Sequence, residues 1–82
     1  MKNTKALQWV DQVRHDLTLL LTSEDAPVYD IEWLLLRCDD TFLYPKDVQK
    51  ASVAQLVKDL ANFECKCPGL LSPDLLVGPK PE

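Results

Sequence analysis

The chain has 82 residues and 9.3 kDa, 46% of them hydrophobic and 27% charged, the composition of one small folded domain and not of a disordered segment. Nine Lys and Arg against thirteen Asp and Glu leave a net charge of -4. The chain therefore lacks the cation excess with which a nonspecific nucleic-acid binder displaces counterions from phosphate.

Residues 4–22 read as a helix. Leu7, Val10, Leu17 and Leu21 recur on one face, Trp9, Val13 and Leu20 widen it, and no glycine or proline interrupts it. Asn3 or Thr4 supplies an N-cap oxygen. After a polar connection at 23–26, Pro27 suits the first position of a second helix, where its missing N–H costs nothing. Asp25, Asp30 and Glu32 place negative charge near the positive end of that helix's dipole. Val28, Ile31, Leu34, Leu35 and Cys38 form its apolar face, with Trp33 and Leu36 on the flanks. A helix this apolar is expected to be buried against more than one neighbour. It is expected to stop near Cys38, because Asp39, Asp40 and Thr41 favour caps over helix interiors.

Residues 41–45 then predict a single short helical turn, closed by Pro45. Ser52-Val53-Ala54-Gln55 has the form of a capping box, and Val53, Leu56, Val57, Leu60, Ala61 and Phe63 follow at helical spacing. A third helix is expected over 52–64, or continuously from Asp47. Four of the six prolines and both glycines fall in 65–82, where Leu70, Leu71, Leu75, Leu76 and Val77 are too interrupted for a helix. The expected fold is all-α: a small helical bundle of three main helices plus one short helix over 1–64, then an extended, Pro-containing tail or linker over 65–82. Its expected core is Leu7, Val10, Leu17, Ile31, Leu34, Leu35, Leu56, Leu60 and Phe63.

Residue chemistry suggests no catalyst. Cys65-Lys66-Cys67 lacks the second pair of a structural zinc site, and Cys38 reads as a small core hydrophobe. The single histidine, His15, shares a polar face with Asp11 and Asp16 and reads as a solvated side chain. Gly69 and Gly78 are too far apart for a phosphate-binding loop. No catalytic residue, cofactor or metal ligand is predicted, and the chain is read as a non-enzyme. The odd count of three cysteines suits a reducing compartment, residues 1–16 lack signal-peptide form, and no apolar run approaches the ~20 residues of a membrane span, so a cytoplasmic protein is expected.

Two features point outward. Phe42, Leu43 and Tyr44 form an apolar tip of the kind that anchors a protein partner. Residues 23–50 hold seven carboxylates against three cations, which would repel nucleic acid and favour a basic partner. The candidate partner-binding residues are therefore Phe42, Leu43 and Tyr44 with Asp39, Asp40, Glu24 and Asp25. The alternative is structural: the tip plugs one end of the bundle, and the carboxylates cap and solvate its helices.

Ala26-Pro27-Val28-Tyr29-Asp30-Ile31-Glu32-Trp33-Leu34-Leu35 matches a Ser-Pro-x-x-Asp-Ala-Glu-x-Leu-Leu pattern at Pro27, Asp30, Glu32, Leu34 and Leu35. Residues 41–45 form a short aromatic-aliphatic turn, Ala51-Ser52 stands for a Leu-Ser helix start, and 71–82 ends much like an Ile-Pro-Arg-Pro-Glu linker. In this the chain resembles the helical N-terminal domain of the peptide-chain release factor glutamine methyltransferases. The family's Gly-Glu-Pro-x-x-Tyr-Ile-x-Gly segment has no counterpart, Gly78 interrupts the linker, and the glycine-rich cofactor loop and Asn-Pro-Pro-Tyr motif are absent. The resemblance implies a non-catalytic protein-binding module, similar to that family's substrate-recognition domain, with a translation release factor as partner and with no nucleic acid, membrane or small-molecule substrate. The alternative is a stand-alone acidic inhibitor or immunity-type protein that binds a basic protein. A thiol-based metal or redox protein is the third reading.

Overall fold

A computed structural model describes residues 4–79 of the chain and contains four helices: α1 (Thr4–Leu20), α2 (Val28–Leu43), α3 (Lys46–Lys66) and α4 (Pro73–Leu76). The all-α expectation of three main helices and one short one holds, with no strand among the described residues. The N-cap expected at Asn3 and the Lys80-Pro81-Glu82 end of the linker-like segment lie outside the described residues.

Each long helix buries one stripe at alternating spacings of three and four: Val10, Val13 and Leu17 on α1, Ile31, Leu34, Cys38 and Thr41 on α2, and Val53, Leu56, Leu60 and Phe63 on α3. The central element is α2, with α1 and α3 packed against it. The chain after α3 folds back, so that α4 rests on both α1 and α3. Leu71 and Leu75 thereby enter the core, and the Trp9 indole Nε1–H donates to the backbone oxygen of Leu75 at 2.9 Å. Gly78 closes the return with φ +85°, and its lack of a side chain leaves room for Val57, whose Cγ2 would stand 3.2 Å from an added Cβ.

Five expectations need correction. First, α2 does not stop near Cys38 but runs on to Leu43, absorbing most of the short turn expected at 41–45. Two of the three polar residues find partners: the Thr41 hydroxyl donates back to the Arg37 carbonyl at 2.9 Å, and Asp39 binds Arg14 of α1. The helix ends where Pro45 drives Tyr44 into extended backbone (φ -82°, ψ 153°). Second, α3 starts at Lys46 and not at Ser52, as the earlier of the two expected starts required to within a residue. Ser52 therefore caps nothing; its hydroxyl meets the Thr41 hydroxyl at 2.6 Å across the α2–α3 contact, and Gln55 donates to Asp59 instead. Third, the short helix lies at Pro73–Leu76, inside the stretch judged too interrupted for one. Fourth, Leu7 and Leu35 are only half-buried, while Trp9, Val13, Val53, Leu71 and Leu75 join the core. Fifth, the end of α1 at Leu20 falls two residues short of expectation, and a turn through Ser23 closes it.

Candidate protein-binding face

The residues singled out as partner-binding divide into two groups. Asp39, Asp40, Phe42, Leu43 and Tyr44 gather at the C-terminal end of α2, whereas Glu24 and Asp25 lie exposed in the α1–α2 connection, before its N-terminus. The 16 residues of α2 rise about 24 Å, some three Debye lengths in physiological salt, so the two acidic groups act separately.

At the tip, Leu43 is 80% exposed, while Phe42 and Tyr44 are exposed to a lesser degree. Phe42 is held from the side. Arg14 reaches across from α1, its Nη1 donating to Asp39 at 3.2 Å and its Nη2 to Asp11 at 2.9 Å, with its guanidinium carbon 5.5 Å from the Phe42 ring centroid. The hydrogen bond to Asp39, with the charge of Asp11 beside it, raises the Arg14 pKa above its ordinary value against the opposing effect of desolvation. These groups line an open depression of about 360 Å³ that ends on Leu43. Asp39 is thus already engaged by a cation, and Asp40 beside it is half-buried.

Sequence reasoning missed the larger part of the exposed apolar surface. Tyr29 is 90% exposed, Trp33 51% and Leu36 58%. With Asp40 and Leu43 they occupy positions 29, 33, 36, 40 and 43, one continuous stripe at spacings of four, three, four and three, opposite the buried stripe of α2. The helix is packed against two neighbours, as its composition suggested, yet its outer side remains open. The signal was available as that spacing, overlaid on the equally regular buried one. Arg37 stacks over the Trp33 ring at 4.5 Å and points its Nε toward Asp59 Oδ2 on α3, 3.8 Å away, an ion pair too long for a hydrogen bond. Beside Trp33, a depression of about 190 Å³ runs between α2 and α3, walled by Leu34, Asn62 and Phe63 and by the charged Asp30, Asp59 and Lys66.

The thiols are dispersed: Cys38 buried, Cys65 exposed and Cys67 half-buried, all three unbridged. Burial, and secondarily the charge of Asp39, pushes the Cys38 thiol up to about 12. His15 is exposed on α1. No group of three metal-ligating side chains occurs among the described residues, and no helix among them is long and apolar enough to cross a membrane. Comparisons with protein-family models, curated proteins and solved structures return no match.

Proposed function

We propose that the chain is a non-catalytic protein-binding module, resembling the substrate-recognition domain of the release factor glutamine methyltransferases, and that it acts inside the cell on a protein partner such as a translation release factor. What supports this most is the tip itself: three consecutive large apolar residues, Phe42, Leu43 and Tyr44, are exposed together at a corner between two helices. Large apolar side chains at such a corner cost solubility unless a partner covers them. Titrating the isotopically labelled chain with a bacterial release factor tests the reading. Amide shifts confined to the α2–α3 corner are expected, with weaker binding for Leu43→Ser. Unchanged spectra at the highest soluble concentration overturn the choice of a release factor.

A second reading, a small acidic inhibitor or immunity-type protein, draws on the carboxylates of the middle of the chain. Its mark is binding to a basic protein that salt weakens steeply and that depends on Glu24, Asp25, Asp39 and Asp40. The distance between the two acidic groups requires a partner that spans the length of α2.

A further inference from the structure

We propose that the outer side of α2 seats one Lys- or Arg-rich amphipathic helix of a protein partner, laid lengthwise over Tyr29, Trp33, Leu36 and Leu43. This rests on the protein-binding reading above and extends the contact from the tip to the whole helix.

The length of the surface fits a helix. Four exposed apolar side chains follow one another over almost the full length of α2, at the spacings by which one helix packs along another. Covering them would bury on the order of 500 Å² of apolar surface, the size at which a patch marks an interaction site and more than half of one partner's share of a standard interface. Trp33 is the anchor. Arg37 stacked on one face of its ring holds it in place, so little side-chain freedom is lost when a partner covers the rest. The depression beside Trp33, where Leu34 and Phe63 meet the charged Asp30, Asp59 and Lys66, has room for one side chain of the incoming helix.

Charge selects the occupant. Asp40 lies within the stripe, Glu32 and Asp39 border it on the α1 side, and Asp30 borders it on the α3 side with Asp59 beyond. Three cations meet these five carboxylates: Arg37 is turned toward Trp33 and Asp59, Arg14 is bound to Asp39, and Lys66 lines the depression beside Asp30 and Asp59, so the charge left over is negative and lies at Glu32 and Asp40. A second copy of the chain, docked by the same stripe about a two-fold axis, would bring these carboxylates against their own counterparts. A helix with an apolar stripe flanked by Lys or Arg instead meets the opposite charge of Glu32 and Asp40 while covering the same apolar residues.

The test uses the full chain and a synthetic helical peptide of Leu and Lys, roughly 18 residues long so as to run the length of α2, together with its counterpart carrying Glu for every Lys. The expected result is a set of amide shifts along residues 29–43 and the facing part of α3 with the Lys peptide, and none with the Glu peptide. Leu36→Ser/Leu43→Ser should weaken binding at least about tenfold with an unchanged circular dichroism spectrum. The independent variant Glu32→Lys/Asp40→Lys should reverse the preference toward the Glu peptide. A footprint elsewhere, or undiminished binding by Leu36→Ser/Leu43→Ser, overturns the proposal. So does a dimer in sedimentation that the same double change dissolves, for then a second copy covers the stripe. Release-factor binding at the corner without any peptide binding along α2 removes this inference and leaves the broader reading standing, and the converse result removes only the release factor.

Discussion

Replacing Leu75 by alanine removes one of the two leucines with which the returning chain fills the space between α1 and α3. Leu75 is 5% exposed, belongs to the same buried cluster as Trp9 and Leu60, and sits in a four-residue helix too short to hold its shape alone. A buried Leu→Ala change costs about 2–5 kcal/mol, and α4 can partly collapse onto the gap because it is tied down at few points, so a value near the middle, about 3 kcal/mol, is expected. The whole domain, at about 0.05–0.15 kcal/mol per residue, holds about 4–12 kcal/mol, so the loss is a large fraction of the total. Urea unfolding measures it. With a slope of about 1–1.5 kcal/mol per molar for so small a chain, the midpoint should fall by about 2–3 M. In a Trp33→Phe background Trp9 is the sole indole, and its emission should shift red as Leu75 recedes, because its N–H then loses the Leu75 carbonyl to water. A midpoint displaced by less than about 0.5 M with unaltered Trp9 emission would show that residues 67–79 lie outside the cooperative unit, and a core that includes Leu71 and Leu75 would be refuted.

Thr41→Val leaves the Ser52 hydroxyl without its partner and should cost about 1 kcal/mol, whereas Thr41→Val combined with Ser52→Ala should recover most of that loss in a double-mutant cycle. Gly69 and Gly78 both have positive φ, but only at Gly78 would a methyl group press on a neighbour, so Gly78→Ala should lower the thermal midpoint more than Gly69→Ala does. At pH 8 a thiol reagent should label Cys65 and Cys67 in the native chain and reach Cys38 only on unfolding. Because burial raises the folded Cys38 pKa to about 12 from an ordinary 9.0, its contribution is complete below pH 9 and declines as pH rises toward 12, by up to about 1.4 kcal/mol per unit; Cys38→Ala should flatten that decline in alkaline urea titrations.

The three long helices were legible because each carries a regular apolar stripe, and the positions of that stripe on α1 and α3 were read correctly at Val10, Leu17, Leu56, Leu60 and Phe63. What failed were boundaries set by polar residues. Asp39, Asp40 and Thr41 read locally as a stop, but Arg14 on another helix neutralises Asp39 and the Thr41 hydroxyl finds both the Arg37 carbonyl and Ser52. Those partners are distant in sequence, so a local propensity had nothing with which to weigh them. The same holds for Ser52, whose capping pattern yields to a contact with α2. The tail failed differently. Prolines and glycines at 68, 69, 73, 78 and 79 do interrupt it, yet Leu71 and Leu75 need only a single turn at Pro73–Leu76 to face the gap that α1 and α3 leave between them. At the candidate site, the exposed corner was legible because three large side chains are contiguous, whereas Tyr29 and Leu36 were hidden among residues that do pack.

That ambiguity has a physical consequence for α2. Apolar residues placed all round a helix ordinarily mean that it is enclosed on every side. In this fold α1 and α3 enclose only the side bearing Ile31, Leu34, Cys38 and Thr41. Folding accordingly makes little use of Leu36: a substitution there should alter stability by no more than about 0.5 kcal/mol. Retaining a tryptophan and a leucine in water, each more than half exposed, brings a risk of self-association that the surrounding carboxylates oppose. The acidic border thus has two effects that do not conflict. It keeps copies of the chain apart while the stripe is bare, and it admits a cationic helix that satisfies charge and apolar surface at once. If Leu36→Ser were instead to lower stability by several kcal/mol, the outer stripe would be part of the fold after all, and the separation of a packing side from a docking side on α2 would collapse.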